Sequence, residues 1–248
     1  MALVDDVAVT RRMCPVIFLM DTSGSMRGEP IGAVNAALES ILPLLKDMND
    51  QNADVEIQIG VLTFSFGAEW KTGENLVSPE AYVWRDLDAN GPTELGAAYN
   101  ELNKKLSTKS GFMKRASGSV APVLFLLSDG APTDEEIVPG ALQRLKENNW
   151  YKVAAKVAIG YGEYDEDVLV DFTGNRETVL STTDPNELKK MIRFVTITSS
   201  MVASSGKGAV SNTDNHINPD DNTAKVADAL QENQGDLGNA DMDPDEDF

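Results

Sequence analysis

Apolar residues along this 248-residue chain occur in two spacings, as short unbroken runs and as repeats three and four apart. The run at 16–20 (VIFLM) has the length of a strand covered on both faces rather than of a buried helix. Residues 55–64 (VEIQIGVLTF) alternate and then turn wholly apolar, which predicts a strand entering the interior of a sheet. Residues 121–128 (APVLFLLS) predict a further central strand, 151–160 and 178–180 two more, and Gly67 followed by 69–72 a turn into an edge strand.

Helical spacing fills the gaps between these runs. Glu29-Pro30 opens a helix carried by Ile31, Val34, Ala37, Leu38, Ile41, Leu42 and Leu45, expected to end before Asn49. Thr93 starts a second, through about residue 106, with Leu95, Ala98, Leu102 and Leu106 on one face. Thr133 with Glu136, and Asp184 with Glu187, have capping-box spacing and predict two more helix starts, the latter helix reaching about residue 200. A short helix is expected over 166–172, where the acids from Glu163 to Asp167 favour its start. Residues 73–92 are irregular, anchored by Trp84 and Leu87, and 109–118 reads as a surface loop.

Strands alternating with helices predict an α/β fold: a doubly wound, mostly parallel sheet with helices on both faces. Ligand crevices in such sheets lie beyond the carboxyl ends of the strands, where the winding reverses. The foldable body is expected over 14–202, preceded by an extension at 1–13. From 203 to 248 the chain is rich in Asp, Asn, Gly and Ser and reads as an acidic, disordered tail.

Charge narrows the partners. The net charge is −19; the last 46 residues carry 11 acidic and 2 basic side chains, and the rest 29 and 19, so both parts are negative. Without a basic stripe, nucleic acid is not an expected partner. Cys14 is the only cysteine, so no internal disulfide forms and the balance leans to the cytoplasm. No run is long enough to span a membrane, and Asp5 and Asp6 stand where a signal core would be apolar.

The candidate chemistry follows the first strand. In VIFLMDTSGSM a buried strand delivers Asp21, Ser23 and Ser25 to one turn, and such oxygens at alternate positions suit a small hard cation such as Mg²⁺ or Mn²⁺. They equally suit a helix cap. Asp129-Gly130 ends the central strand as Asp21 ends the first, and the two aspartates share a crevice if those strands are neighbours. Histidine-based catalysis has no material in the body, since the only histidine is His216. A metal-dependent phosphotransferase or hydrolase with Asp21 as nucleophile is the enzymatic alternative, although Ser23 stands where that chemistry usually has a second carboxylate. A third possibility is an interaction domain with an empty metal site.

Asp21-x-Ser23-x-Ser25, Thr93 in Gly91-Pro92-Thr93-Glu94-Leu95-Gly96, and Asp129-Gly130 together resemble the metal-ion-dependent adhesion site of the von Willebrand factor A domain family, over about residues 14–200. Within it, PVIFLMDTSGSMRGEPI, GPTELGAA and VLFLLSDGAPTD look most like the bacterial tellurium-resistance-associated TerY-like proteins. The resemblance implies sheet order 3-2-1-4-5-6 with one antiparallel edge strand. It implies that Ser23, Ser25 and Thr93 touch a cation, Mg²⁺ with Mn²⁺ as substitute, and that Asp21 and Asp129 act through water or switch between shells. It further implies a protein partner that supplies a Glu or Asp to the metal, a non-enzymatic role, and a cytoplasmic stress-response assembly.

Overall fold

The computed structural model describes residues 11–114, 118–205 and 222–232. In chain order its elements are β1 (Arg12–Asp21), α1 (Glu29–Gln51), β2 (Val55–Ser65), β3 (Gly67–Trp70), α2 (Leu95–Lys105), β4 (Val123–Ser128) and α3 (Val138–Glu147). There follow α4 (Asn149–Val153), β5 (Ala155–Tyr161), α5 (Glu166–Thr173), β6 (Val179–Thr182), α6 (Pro185–Ser205) and α7 (Asn222–Glu232). The strands form one sheet in the order β3-β2-β1-β4-β5-β6. All pairs are parallel except β2 with β3.

The period-two geometry of β1 splits its apolar run between two cores. Cys14, Val16, Phe18 and Met20 join the core under α1, α6 and α7, while Met13, Ile17 and Leu19 join the one under α2 to α5. A strand buried on both faces has no polar side to spare, which is why the run reads as continuous in the sequence. The winding reverses between β1 and β4, so the crevice of this sheet opens where those two strands end.

Several local expectations are corrected. Residues 151–153 are helical and the strand begins only at Ala155, because the Asn148 side chain accepts from the Trp150 N–H at 2.9 Å and caps α4. Thr133 caps no helix: its hydroxyl accepts from the Thr93 N–H at 3.1 Å, and α3 starts at Val138 without a side-chain cap. Helix α1 runs on through Asn49 to Gln51, where the Asn49 amide clasps both backbone groups of Ile57. The loop at 109–114 is not purely surface, since Phe112 and Met113 are buried in the second core.

The largest correction concerns the end of the chain. Helix α6 continues to Ser205, and α7 lies wholly within the stretch read as an unpatterned tail. Thr223, Val226, Ala227 and Leu230 are buried, on a helical spacing diluted by its polar surroundings. Thr223 and Asn222 also bond the carbonyls of Ala154 and Val153 where β5 begins. The disorder expected over 206–221 and 233–248, and the extension expected over 1–10, fall outside the described residues. Among the described residues no helix is long and apolar enough to cross a membrane.

Candidate metal centre

Strands β1 and β4 are parallel neighbours with Met20 opposite Leu127, which brings Asp21 level with Ser128 at the carboxyl edge of the sheet. The Asp21 carboxylate is fully buried and both its oxygens are engaged. One accepts from the Ser23 N–H at 2.8 Å and the other from the Ser128 hydroxyl at 2.7 Å. The chain then makes a single 3₁₀ turn, Gly24–Met26, pinned by the fully buried Met26. This turn aims two hydroxyls at the next strand end: Ser25 donates to Asp129 Oδ1 at 2.8 Å, Ser23 to the same oxygen at 3.4 Å, and the two hydroxyls are 3.0 Å apart.

A third segment is tied to this turn through its backbone. Asn90 N–H donates to Thr22 O at 2.7 Å, and Gly24 N–H to Gly91 O at 2.9 Å. Gly91 has φ of +92°, and a Cβ there would stand 2.4 Å from the Phe66 ring, so only glycine fits. Thr93 follows, buried and locked by a two-way exchange with Thr133, whose N–H donates to Thr93 O at 2.9 Å. Asp134 accepts from the Ala97 N–H at 3.2 Å and so serves as the cap of α2. Asp21, Ser23, Ser25 and Asp129 thus meet in one hydrogen-bonded cluster. Thr93 lies on the segment tied to it, and among the described residues no hydrogen bond joins its hydroxyl to the other four.

The electrostatics are one-sided. Burial pushes the Asp21 carboxyl above its ordinary range, hydrogen bonds from Ser23 and Ser128 offset part of the rise, and nearby Asp129 adds a smaller upward push. Burial likewise raises Asp129 against hydrogen bonds from Ser25 and Ser23. Among the described residues neither carboxylate forms an ion pair. Two such carboxylates with converging hydroxyls and no basic side chain are a donor set for a hard cation supplied from outside. The same residues contain no group of three or more His, Cys, Asp or Glu able to hold a metal, so hydroxyls are needed to complete any such set.

A carboxyl with a raised folded pKa binds more protons folded than unfolded, so its contribution is present below the unfolded pKa and lost as pH rises through the folded one. In EDTA the chain loses stability as pH climbs from the ordinary carboxylate range through the raised pKa values of Asp21 and Asp129. Asp21→Asn flattens that decline and stabilises the metal-free chain by about 1 kcal/mol at neutral pH. Urea midpoints at a series of pH values check both.

Ser128 is the site residue that sequence reasoning missed. Parallel pairing alone does not fix the register, and only the observed pairing of Met20 with Leu127 puts the residue before Asp129 beside Asp21. The acids at 163–167 act as expected of a helix start, with Asp165 accepting from the N–H groups of Asp167 and Val168.

Comparison with known proteins bears on the fold. The sequence model of the von Willebrand factor type A domain matches residues 16–194. The mouse collagen alpha-6(VI) chain is 28% identical over 185 residues, covering 71% of this chain and 7% of the collagen. Mouse inter alpha-trypsin inhibitor heavy chain 4 is 32% identical over 135 residues, covering 52% of this chain and 13% of that protein. The chain therefore spans only a small part of these relatives. Among solved structures, proximal thread matrix protein 1 from the mussel byssus, with zinc in its MIDAS motif, superposes with a TM-score of 0.55. It is 18% identical and covers 75% of this chain and 48% of its own, a likeness of fold. With a family match over most of its length and the sheet order seen here, the chain belongs to the von Willebrand factor type A domain family.

Proposed function

We propose that this chain is a protein-binding module switched on by a divalent cation. Asp21, Ser23, Ser25, Thr93 and Asp129 hold Mg²⁺, or Mn²⁺ in its place, and the cation accepts a Glu or Asp carboxylate from a partner protein. The observation that carries this reading is the convergence of Ser23 and Ser25 on Asp129, from strand ends about a hundred residues apart, with no basic side chain among the described residues paired to either acid. A dication held largely by neutral hydroxyls keeps enough charge to attract an anionic ligand.

The nucleophile reading is less well supported. The Asp21 side chain is fully buried and each of its oxygens already accepts a hydrogen bond, so no exposed carboxylate oxygen meets an incoming substrate. Placement in a cytoplasmic, bacterial stress-response assembly rests on the TerY-like resemblance alone. Fractionation of the native host tests it, and recovery of the protein outside the cell removes it.

The function is tested by a pull-down from native host lysate, run with Mg²⁺ and with EDTA and read by mass spectrometry. Partners are retained in Mg²⁺ and released in EDTA. An identical set under both conditions contradicts the proposal, and cation-dependent hydrolysis of a generic phosphate ester favours the enzyme.

A further inference from the structure

Beside the metal turn lies a cavity of about 490 Å³, between the β2–β3 hairpin and the segment from Tyr82 to Asp88. Thr22, which sits between Asp21 and Ser23, forms part of its wall, so cavity and metal turn are contiguous. We propose that this cavity is a second recognition subsite, which takes the lysine or arginine side chain of the same partner segment whose acidic residue reaches the cation. The inference rests on the metal-dependent reading above and adds the chemistry of the partner.

The cavity is a built feature. Asn35 exchanges two hydrogen bonds with the Leu87 backbone, at 3.0 and 2.8 Å, and fixes one wall to α1. Arg27 donates to Ala89 O at 3.0 Å and also to the Asn90 side chain, fixing the link from that wall to the metal turn. Glu94 accepts from the Gly67 N–H at 2.9 Å and holds the hairpin opposite. Walls held before binding spare a ligand the cost of ordering them.

Its lining suits a cation on an alkyl stem. Three carboxylates, Glu69, Asp86 and Asp88, face two basic groups, Lys71 and Arg85. Lys71 is already paired with Glu69 at 2.5 Å, which leaves two acids against Arg85 and an excess of negative charge. Tyr82 adds aromatic surface of the kind that attracts ammonium and guanidinium groups. Phe66 of the lining is 74% exposed, an apolar contact open to a partner.

Whole-molecule charge supports the same occupant. A purely acidic segment approaching the metal would meet a chain of net charge −19, and a basic residue close to the acidic one removes that repulsion. At the rise of an extended chain the two side chains fall within about four residues of each other.

The test is an array of short peptides, each with one Glu in a Gly/Ser background and Arg, Lys, Ala or Glu at one other position. It is probed with the full chain in Mg²⁺ and in EDTA. The expected result is Glu-dependent, EDTA-sensitive binding that Arg or Lys strengthens about tenfold over Ala at one preferred offset. Asp86→Asn combined with Asp88→Asn removes that gain and leaves the Glu dependence intact. No gain, an equal gain at every offset, or a gain that survives the double variant overturns the subsite while leaving the metal reading in place. Binding indifferent to Glu and to EDTA, or no binding to any peptide, overturns the metal reading and the subsite with it.

Discussion

Replacing Asp129 by alanine abolishes cation-dependent capture of the partner, by about 100-fold or more, while the domain stays folded. Asp129 Oδ1 is the atom on which Ser25 and Ser23 both converge, at 2.8 and 3.4 Å. Its loss removes one of two charges available to a dication and frees both hydroxyls to turn away. The fold does not depend on it, because the side chain takes no part in either core and its burial raises its pKa, the mark of a charge held at a cost. Stability is therefore expected to stay within about 1 kcal/mol of the parent chain in EDTA. Asp21→Ala gives the same loss of capture. Its structural cost is larger, since the Ser23 N–H and the Ser128 hydroxyl lose their acceptor. Affinity for the captured partner in Mg²⁺ and in EDTA, measured beside urea unfolding of each variant, separates a lost site from a lost fold.

The second large effect lies at the opposite end of the sheet. Leu230→Ala lowers stability by about 3 kcal/mol, and deletion from residue 222 onward lowers it further. Leu230 is 2% exposed and Val226 is fully buried in the core shared with α1 and α6. Thr223 accepts from Lys156 N–H at 3.3 Å and donates to Ala154 O at 3.2 Å, which moors α7 to the first residues of β5. Those residues are at the amino end of the strand, away from the metal turn, so partner affinity of the folded fraction is unchanged. A urea midpoint identical to that of the parent chain contradicts the packing of α7 as seen.

The fate of that helix shows where sequence reading works and where it stops. Strands covered on both faces announce themselves, because a run such as VIFLM admits no polar residue on either side, and the sheet order implied by the family resemblance is the one observed. Helix α7 buries one stripe, and Val226 and Leu230 stand among acids, asparagines and glycines whose bulk composition argues for disorder. Burial by a neighbour is a tertiary fact that local composition does not carry. The same limit explains α4: Trp150, Tyr151 and Val153 have strand propensity, and the Asn148 cap overrides it.

The site divides along the same line. Asp21, Ser23, Ser25 and Asp129 were legible because each follows a buried strand at a short motif. Their meeting depends only on β1 and β4 being neighbours. Ser128 and the Thr93–Thr133 exchange were not, because each has an unremarkable residue type and gains its role from a partner 40 residues away or more.

Binding of a divalent cation by Asp21, Ser23, Ser25, Thr93 and Asp129 is tested most directly by growing crystals of the chain in Mn²⁺ and collecting anomalous diffraction. The expected result is a peak among the oxygens of Ser23, Ser25 and Thr93, with Asp21 and Asp129 around it, that disappears in Asp129→Ala crystals. Crystals grown at millimolar Mn²⁺ with no peak at the end of β1, or with manganese bound only elsewhere, contradict it.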